Sequence, residues 1–111
     1  MFGDAKLQHD NLQKNNLLLD IEANSNSVSI RANTAVFNNV YYYECQILTG
    51  GSMLIGWSSM SSVFRVNEGV GDEKNSYGYD GSTARIKNNN QFKPYGETWI
   101  MGDIIGTLID L

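Results

Sequence analysis

Residues 40–48, VYYYECQIL, admit few folds. They alternate strictly. Tyr41, Tyr43, Cys45 and Ile47 fall on one side of an extended chain, and Val40, Tyr42, Glu44, Gln46 and Leu48 on the other. Aromatic and β-branched residues at this density favour a pleated sheet. The first side reads as core; the second is polar in its middle. Thr49-Gly50-Gly51-Ser52 is a turn signal, and residues 53–57, MLIGW, read as the next strand. The two are expected to form an antiparallel hairpin.

The chain on either side of this stretch follows the same logic. Residues 1–16 are polar, Asn-rich and without a clear period, a lead-in with no assigned structure. Residues 17–22, LLLDIE, read as a strand, because Asn15-Asn16 and Asn24-Ser25-Asn26 bracket them too closely for a helix. Residues 27–32 alternate again, with Val28, Ile30 and Ala32 opposite Ser27, Ser29 and Arg31. Asn33-Thr34 and Asn38-Asn39 mark turns. Beyond Trp57, residues 58–62 (SSMSS) break the strand, and Val63, Phe64, Arg65 and Val66 form an apolar-plus-Arg cluster inside a loop. Residues 67–75 are polar. Residues 76–80, SYGYD, read as a strand with Tyr77 and Tyr79 on one face. Gly81-Ser82 turns, residues 83–87 form a short strand, and Asn88-Asn89-Asn90 is a surface turn. Residues 94–97 lead into 98–101, and Gly102-Asp103 turns into a last strand over 104–111. About seven short strands at roughly 8–12-residue spacing, with no helical segment, predict an all-β fold of two packed antiparallel sheets.

Composition narrows the function. A chain of 111 residues holds one domain at most, and 41% hydrophobic with 18% charged residues is a globular composition. The net charge is -4, and the eight basic residues are scattered, with Arg85 and Lys87 the nearest thing to a pair. Nucleic-acid binding needs a basic footprint that is missing here, so no nucleic-acid partner is expected. No apolar run approaches the ~18 residues that a membrane-spanning helix needs, so no membrane partner is expected either. The single cysteine, Cys45, allows no intrachain disulfide. The first residues, MFGDAKLQHDN, lack the pattern of a signal peptide, and a cytoplasmic location is expected.

Enzyme readings fail on inventory. The only histidine, His9, lies in the polar lead-in, far in sequence from any strand end that could present a nucleophile. Cys45 sits on the apolar face of its strand and reads as an inert buried thiol. Metal sites built on Cys and His are excluded by count, and no cofactor is expected. Asp72-Glu73 and Asp80 would suit a paired-carboxylate hydrolase, but the plainer reading has Asp72 organising a tight turn and Glu73 solvated. Gly69-Val70-Gly71 begins like a dinucleotide fingerprint but lacks the third glycine and the β-α unit. Binding remains. Phe64 and Arg65, in a loop of Ser, Asn and Gly, are residue types enriched at interface hot spots. Two readings stay open for Phe64: it meets a partner, or it tucks under the loop as an anchor and leaves Arg65 exposed.

Four ordered blocks carry a resemblance to a known family. They are Tyr43 and Glu44 in a Tyr-rich strand; Ile55, Gly56 and Trp57; Gly71 and Asp72 with Ser76, Tyr77, Gly78, Tyr79, Asp80 and Gly81; and Tyr95, Gly96 and Trp99 followed by Gly102, Asp103, Ile105 and Gly106. Over residues 40–111 this pattern resembles a SPRY domain, with the flavour of the SPRY domains of RING-type ubiquitin ligases and ryanodine-receptor-like channels. The resemblance implies a bent two-sheet antiparallel β-sandwich that binds a protein or peptide through loops at one end, without catalysis. It implies that residues 58–68 form a recognition loop, with Val63, Phe64, Arg65 and Val66 as its partner-binding centre. Trp57, Tyr77 and Tyr79 are expected to fill the core.

Family members continue past the strand that ends at Leu111. The resemblance therefore implies an incomplete module: a polar lead-in over residues 1–16, then a partial SPRY sandwich over 17–111, truncated after a central strand and prone to self-association through the open sheet edge. The expected function is non-catalytic protein interaction, with substrate recognition for a ubiquitin ligase as its finer form. The alternative is a carbohydrate-binding, lectin-like sandwich.

Overall fold

In a computed structural model, the residues described are 5–13, 16–23, 29–32, 35–65 and 67–111. All the regular structure among them is extended. The strands are β1 (Ala5–Gln13), β2 (Asn16–Ala23), β3 (Val40–Gln46), β4 (Leu54–Ser58), β5 (Ser76–Asp80), β6 (Arg85–Asn88), β7 (Gln91–Pro94) and β8 (Ile104–Asp110). They form three antiparallel ladders, β1-β2, β3-β8 and β4-β5-β6-β7. The all-β fold class follows directly. No helix among the described residues is long and apolar enough to cross a membrane.

The chain divides into two compact units. The first takes in the chain up to Arg31 together with Val63–Gly69, and contains the β1-β2 hairpin. Its register runs from Ala5↔Ala23 to Gln13↔Asn16, with an irregularity between His9 and Asn11. That hairpin places a strand, β1, where the sequence shows no period. The expected strand over 27–32 is a correction: Ser27 and Val28 lie outside the described residues, and 29–32 join no ladder.

The second unit, Ala32–Ser62 with Val70–Leu111, holds the other two sheets. Here the expected hairpin of β3 with β4 is overturned. β3 pairs instead with β8, from Val40↔Asp110 to Gln46↔Ile104, and β4 pairs with β5. The ladder continues past β3: Ile47 N–H donates to the Asp103 carbonyl at 2.8 Å, and Gly102 N–H to the Ile47 carbonyl at 2.7 Å. One edge of β3 is taken by β8 and β4 lies in a different sheet, so residues 49–52 connect one sheet to the other. β3 meets β4 through side chains. The Tyr43 ring lies edge-on to Trp57, centroids 5.1 Å apart, and the Tyr43 hydroxyl donates to the Gly56 carbonyl at 2.7 Å. This face-to-face contact is what makes a sandwich out of two ladders.

The alternation read from β3 holds. Tyr41, Tyr43 and Cys45 are half-buried, Ile47 is buried, and Val40, Tyr42, Glu44, Gln46 and Leu48 are exposed. β8 alternates the same way, with Ile105, Thr107 and Ile109 turned inward. Around the four-stranded sheet, Trp99 is the buried anchor. Tyr79 packs edge-on to it at 5.0 Å and to Tyr95 at 5.2 Å. Gly81 allows this, because any Cβ there would run into the indole. Tyr77 is a third correction: it is 51% exposed and does not fill the core. β7 is an element the sequence reading did not assign. It is joined to β6 by Asn89-Asn90, whose φ values of 52° and 59° give the two left-handed residues of a type I′ hairpin.

Candidate functional site

The loop after β4 begins with serines that bond to one another. Ser59 N–H donates to the Asn75 carbonyl at 3.0 Å, Ser62 N–H to the Ser59 carbonyl at 3.1 Å, and the Ser59 hydroxyl lies 3.1 Å from that of Ser61. Its centre belongs to the first unit. There Phe64 is only 6% exposed, with the Arg31 guanidinium carbon 5.3 Å from its ring centroid. An aromatic face in contact with a cation is a favourable, directional contact. Phe64 is thus buried within this unit, with the Arg31 guanidinium over its ring.

Its neighbours point the other way. Val63 is 56% exposed, and the Arg65 side chain 78%. The Arg65 carbonyl accepts the Glu68 N–H at 3.0 Å, closing a turn in which Asn67 takes a φ of 64°. Asn tolerates the left-handed region better than other side chains, so the asparagine suits this position. The Ser29 hydroxyl donates to the Glu68 carbonyl at 2.9 Å, and Arg65 reaches Glu68 at 3.8 Å. Val66 lies outside the described residues. The arrangement presents an apolar side chain and a guanidinium from a turn that is bonded beneath. It offers contacts, not chemistry.

The carboxylates weighed for hydrolysis are committed elsewhere. Asp72 lies in the turn before β5 and forms an ion pair with Lys87 of β6, a long-range partner that the sequence does not announce. Asp80 is buried. One of its oxygens accepts from Ser82 N–H at 2.9 Å and the Ser82 hydroxyl at 2.6 Å, and the other from the Thr83 hydroxyl at 2.8 Å. Burial alone would raise this carboxyl, but those hydrogen bonds and the nearby Arg85 outweigh it and hold the group below the usual carboxylate value. Asp80 therefore builds the turn between β5 and β6. The Cys45 thiol is free and half-buried, and burial pushes it up, away from the thiolate that nucleophilic or metal chemistry requires. Among the described residues, no group of His, Cys, Asp and Glu could hold a metal ion.

The glycine-aspartate segment before β5 is also structural. Gly71 N–H donates to the buried Ser76 hydroxyl at 2.7 Å, and the Asn88 amide donates to the Lys74 and Ser76 carbonyls at 2.8 and 2.9 Å. Asn90 N–H returns to the Gly71 carbonyl at 3.0 Å. These bonds tie Gly71 and Ser76 to the end of β6 and the turn that follows it, and Asp72 is tied to β6 by its ion pair with Lys87.

Comparison with known proteins gives the same division. The SPRY domain family matches residues 40–111. The chain is 39% identical over 83 residues to the E3 ubiquitin-protein ligase RKP of Arabidopsis thaliana, covering 75% of this chain and 6% of that protein. It is 33% identical over 81 residues to the ATP-dependent RNA helicase DDX1 of Xenopus laevis, covering 73% of this chain and 10% of the relative. The chain thus spans a tenth or less of the curated relatives it matches. With its Tyr-rich strand, its Gly-Trp strand facing it and its Asp80 turn all in place, this chain belongs to the SPRY domain family.

Proposed function

We propose that this SPRY domain is a non-catalytic protein-interaction module that takes a protein or peptide partner on the loop of Val63, Phe64, Arg65 and Val66, with Val63 and Arg65 as the contacting side chains. The observation that carries the reading is the inversion at that loop. Its aromatic residue is buried under Arg31, while an aliphatic residue and an arginine are held outward. Arginine is enriched at interface hot spots, and exposed Val63 supplies apolar surface beside it. SPRY domains are in general interaction modules, which supports the reading. Similarity to a protein named as an E3 ubiquitin-protein ligase supports its finer form, recognition of a substrate for ubiquitin transfer.

The test is capture of partners by the full chain against a Val63→Ala/Arg65→Ala variant. We expect at least a tenfold drop in the recovered partner, with an unchanged circular-dichroism spectrum. Equal recovery by the variant overturns the loop assignment. A specific hit on a glycan array would favour a carbohydrate-binding sandwich instead. A further part of the proposal concerns β8, which pairs only with β3 among the described residues. An unpaired strand edge templates another strand, so we expect self-association through it. A sedimentation coefficient that stays constant over a hundredfold range of concentration would refute that part.

A further inference from the structure

The outer face of the β3-β8 sheet is a second surface, built from different residues. Five large apolar side chains, Val40, Tyr42, Leu48, Ile104 and Leu108, lie on it, each between 54 and 62% exposed. The register makes them contiguous. Tyr42 stands directly opposite Leu108, and Gln46 opposite Ile104, with Leu48 continuing the same side of β3 beyond the strand end. The Tyr42 ring lies flat across Gly106, since a Cβ on that glycine would run into the ring and hydroxyl. The phenol is fixed there by donating to Glu44 Oε1 at 3.0 Å. Contiguous exposed apolar side chains, unlike ones scattered singly, mark interaction surfaces.

The charges on this face have one sign. Glu44 and Asp110 are its only ionisable carboxylates, and no Lys or Arg lies on either strand. Glu44 stands opposite Gly106, and Asp110 is four residues further along β8. At ~3.4 Å per residue the two carboxylates are about 14 Å apart along the strands. That is the rise of about nine residues of α-helix. A second copy of the chain is a poor occupant of this face. It would bring acid against acid, and like charges juxtaposed across an interface are costly. A sheet face, unlike a sheet edge, offers no main-chain donors, so its natural cover is a helix with one apolar stripe.

We propose that the outer face of the β3-β8 sheet docks an amphipathic helix of a partner protein, whose apolar stripe covers Tyr42, Leu108, Ile104 and Val40 and whose Lys or Arg residues pair with Glu44 and Asp110. The probe is a blocked 18-residue helical peptide with leucines on one face and lysines flanking them, titrated calorimetrically against the full chain. Two control peptides accompany it, one with glutamates for the lysines and one with the same residues scrambled.

The expected result is one-to-one binding of the lysine peptide alone, with amide-exchange protection gained on β3 and β8. Ile104→Lys with Leu108→Lys should weaken it at least tenfold. Glu44→Gln with Asp110→Asn should weaken it several-fold and flatten its salt dependence, and this milder pair serves if the lysine pair fails to fold. Absence of binding, equal binding of either control, unchanged affinity in both variants, or protection confined to other strands each overturns the proposal. So does a dimer that the lysine pair converts to monomer, which would make a second copy the occupant.

Discussion

The turn between β5 and β6 and the turn at Arg65 to Glu68 use the same materials, short polar side chains and backbone, to opposite ends. At the first, both carboxylate oxygens of Asp80 accept from Ser82 or Thr83, and Gly81 lets Trp99 close over the backbone. At the second, the Glu68 N–H bonds to the Arg65 carbonyl and Ser29 to the Glu68 carbonyl, while the side chains of Val63 and Arg65 are exposed. Substitution in the first region should be paid in stability. Substitution in the second should leave stability nearly untouched and show in binding.

The largest expected effect tests the first half of that contrast. Trp99→Ala removes a buried indole that packs on Tyr79 and covers Gly81, and should cost about 3–5 kcal/mol in urea unfolding. A loss under about 1 kcal/mol would mean that the four-stranded sheet does not depend on this anchor. Next comes Asp80→Ala, which strands the hydroxyls of Ser82 and Thr83 and should cost about 2–3 kcal/mol. Because the folded carboxyl is held below its ordinary value, its contribution is full above the ordinary carboxylate range and is lost as pH falls through the lowered value. Asp80→Asn should therefore flatten the acid limb of a stability-pH curve. An unaltered limb would show that the charge plays no part in the turn.

Phe64→Ala addresses the boundary between the two behaviours. It should strip amide-exchange protection from residues 67–69 while shifting protection in β4, β5 and β6 by less than about 1 kcal/mol. Loss of protection in both places together would break the contrast. The smallest effect belongs to Val63→Ala/Arg65→Ala, within about 0.5 kcal/mol of the parent in unfolding, since both side chains are exposed and the Arg65–Glu68 pair is a weak surface contact at 3.8 Å.

How much of this was legible in the sequence depended on how local the cause was. The two faces of β3 and the run from Ser76 to Asp80 could be read from period two alone, because alternation is a property of the strand itself. The partner of β3 could not. A Gly-Gly turn is as compatible with a crossing between sheets as with a hairpin, and what decides it is β8, nearly sixty residues away. Tyr77 and Tyr79 share a side of β5, yet only Tyr79 finds Tyr95 and Trp99 to pack on; cover by distant residues is invisible to periodicity. β7 was readable in retrospect, since Asn-Asn between short extended runs is a type I′ signal. The recognition loop was legible as an odd cluster, Val-Phe-Arg-Val among serines. Which of its members is buried depended on Arg31, whose contact with Phe64 no local pattern announces.

The pairing of β3 with β8 also sets a timetable. During synthesis, Gln46 is made 58 residues before its partner Ile104, taking the difference of their positions in the register. At about 5–20 residues per second, β3 waits on the order of 3–12 seconds for the strand that completes its ladder. Through that interval three consecutive tyrosines and an unsatisfied strand edge are available to anything that binds nascent extended chain. The β4-β5-β6-β7 meander needs no such delay, because each of its strands pairs with the next. It is the part of the second unit that can form first, and it can offer Trp57 as the surface on which β3 settles.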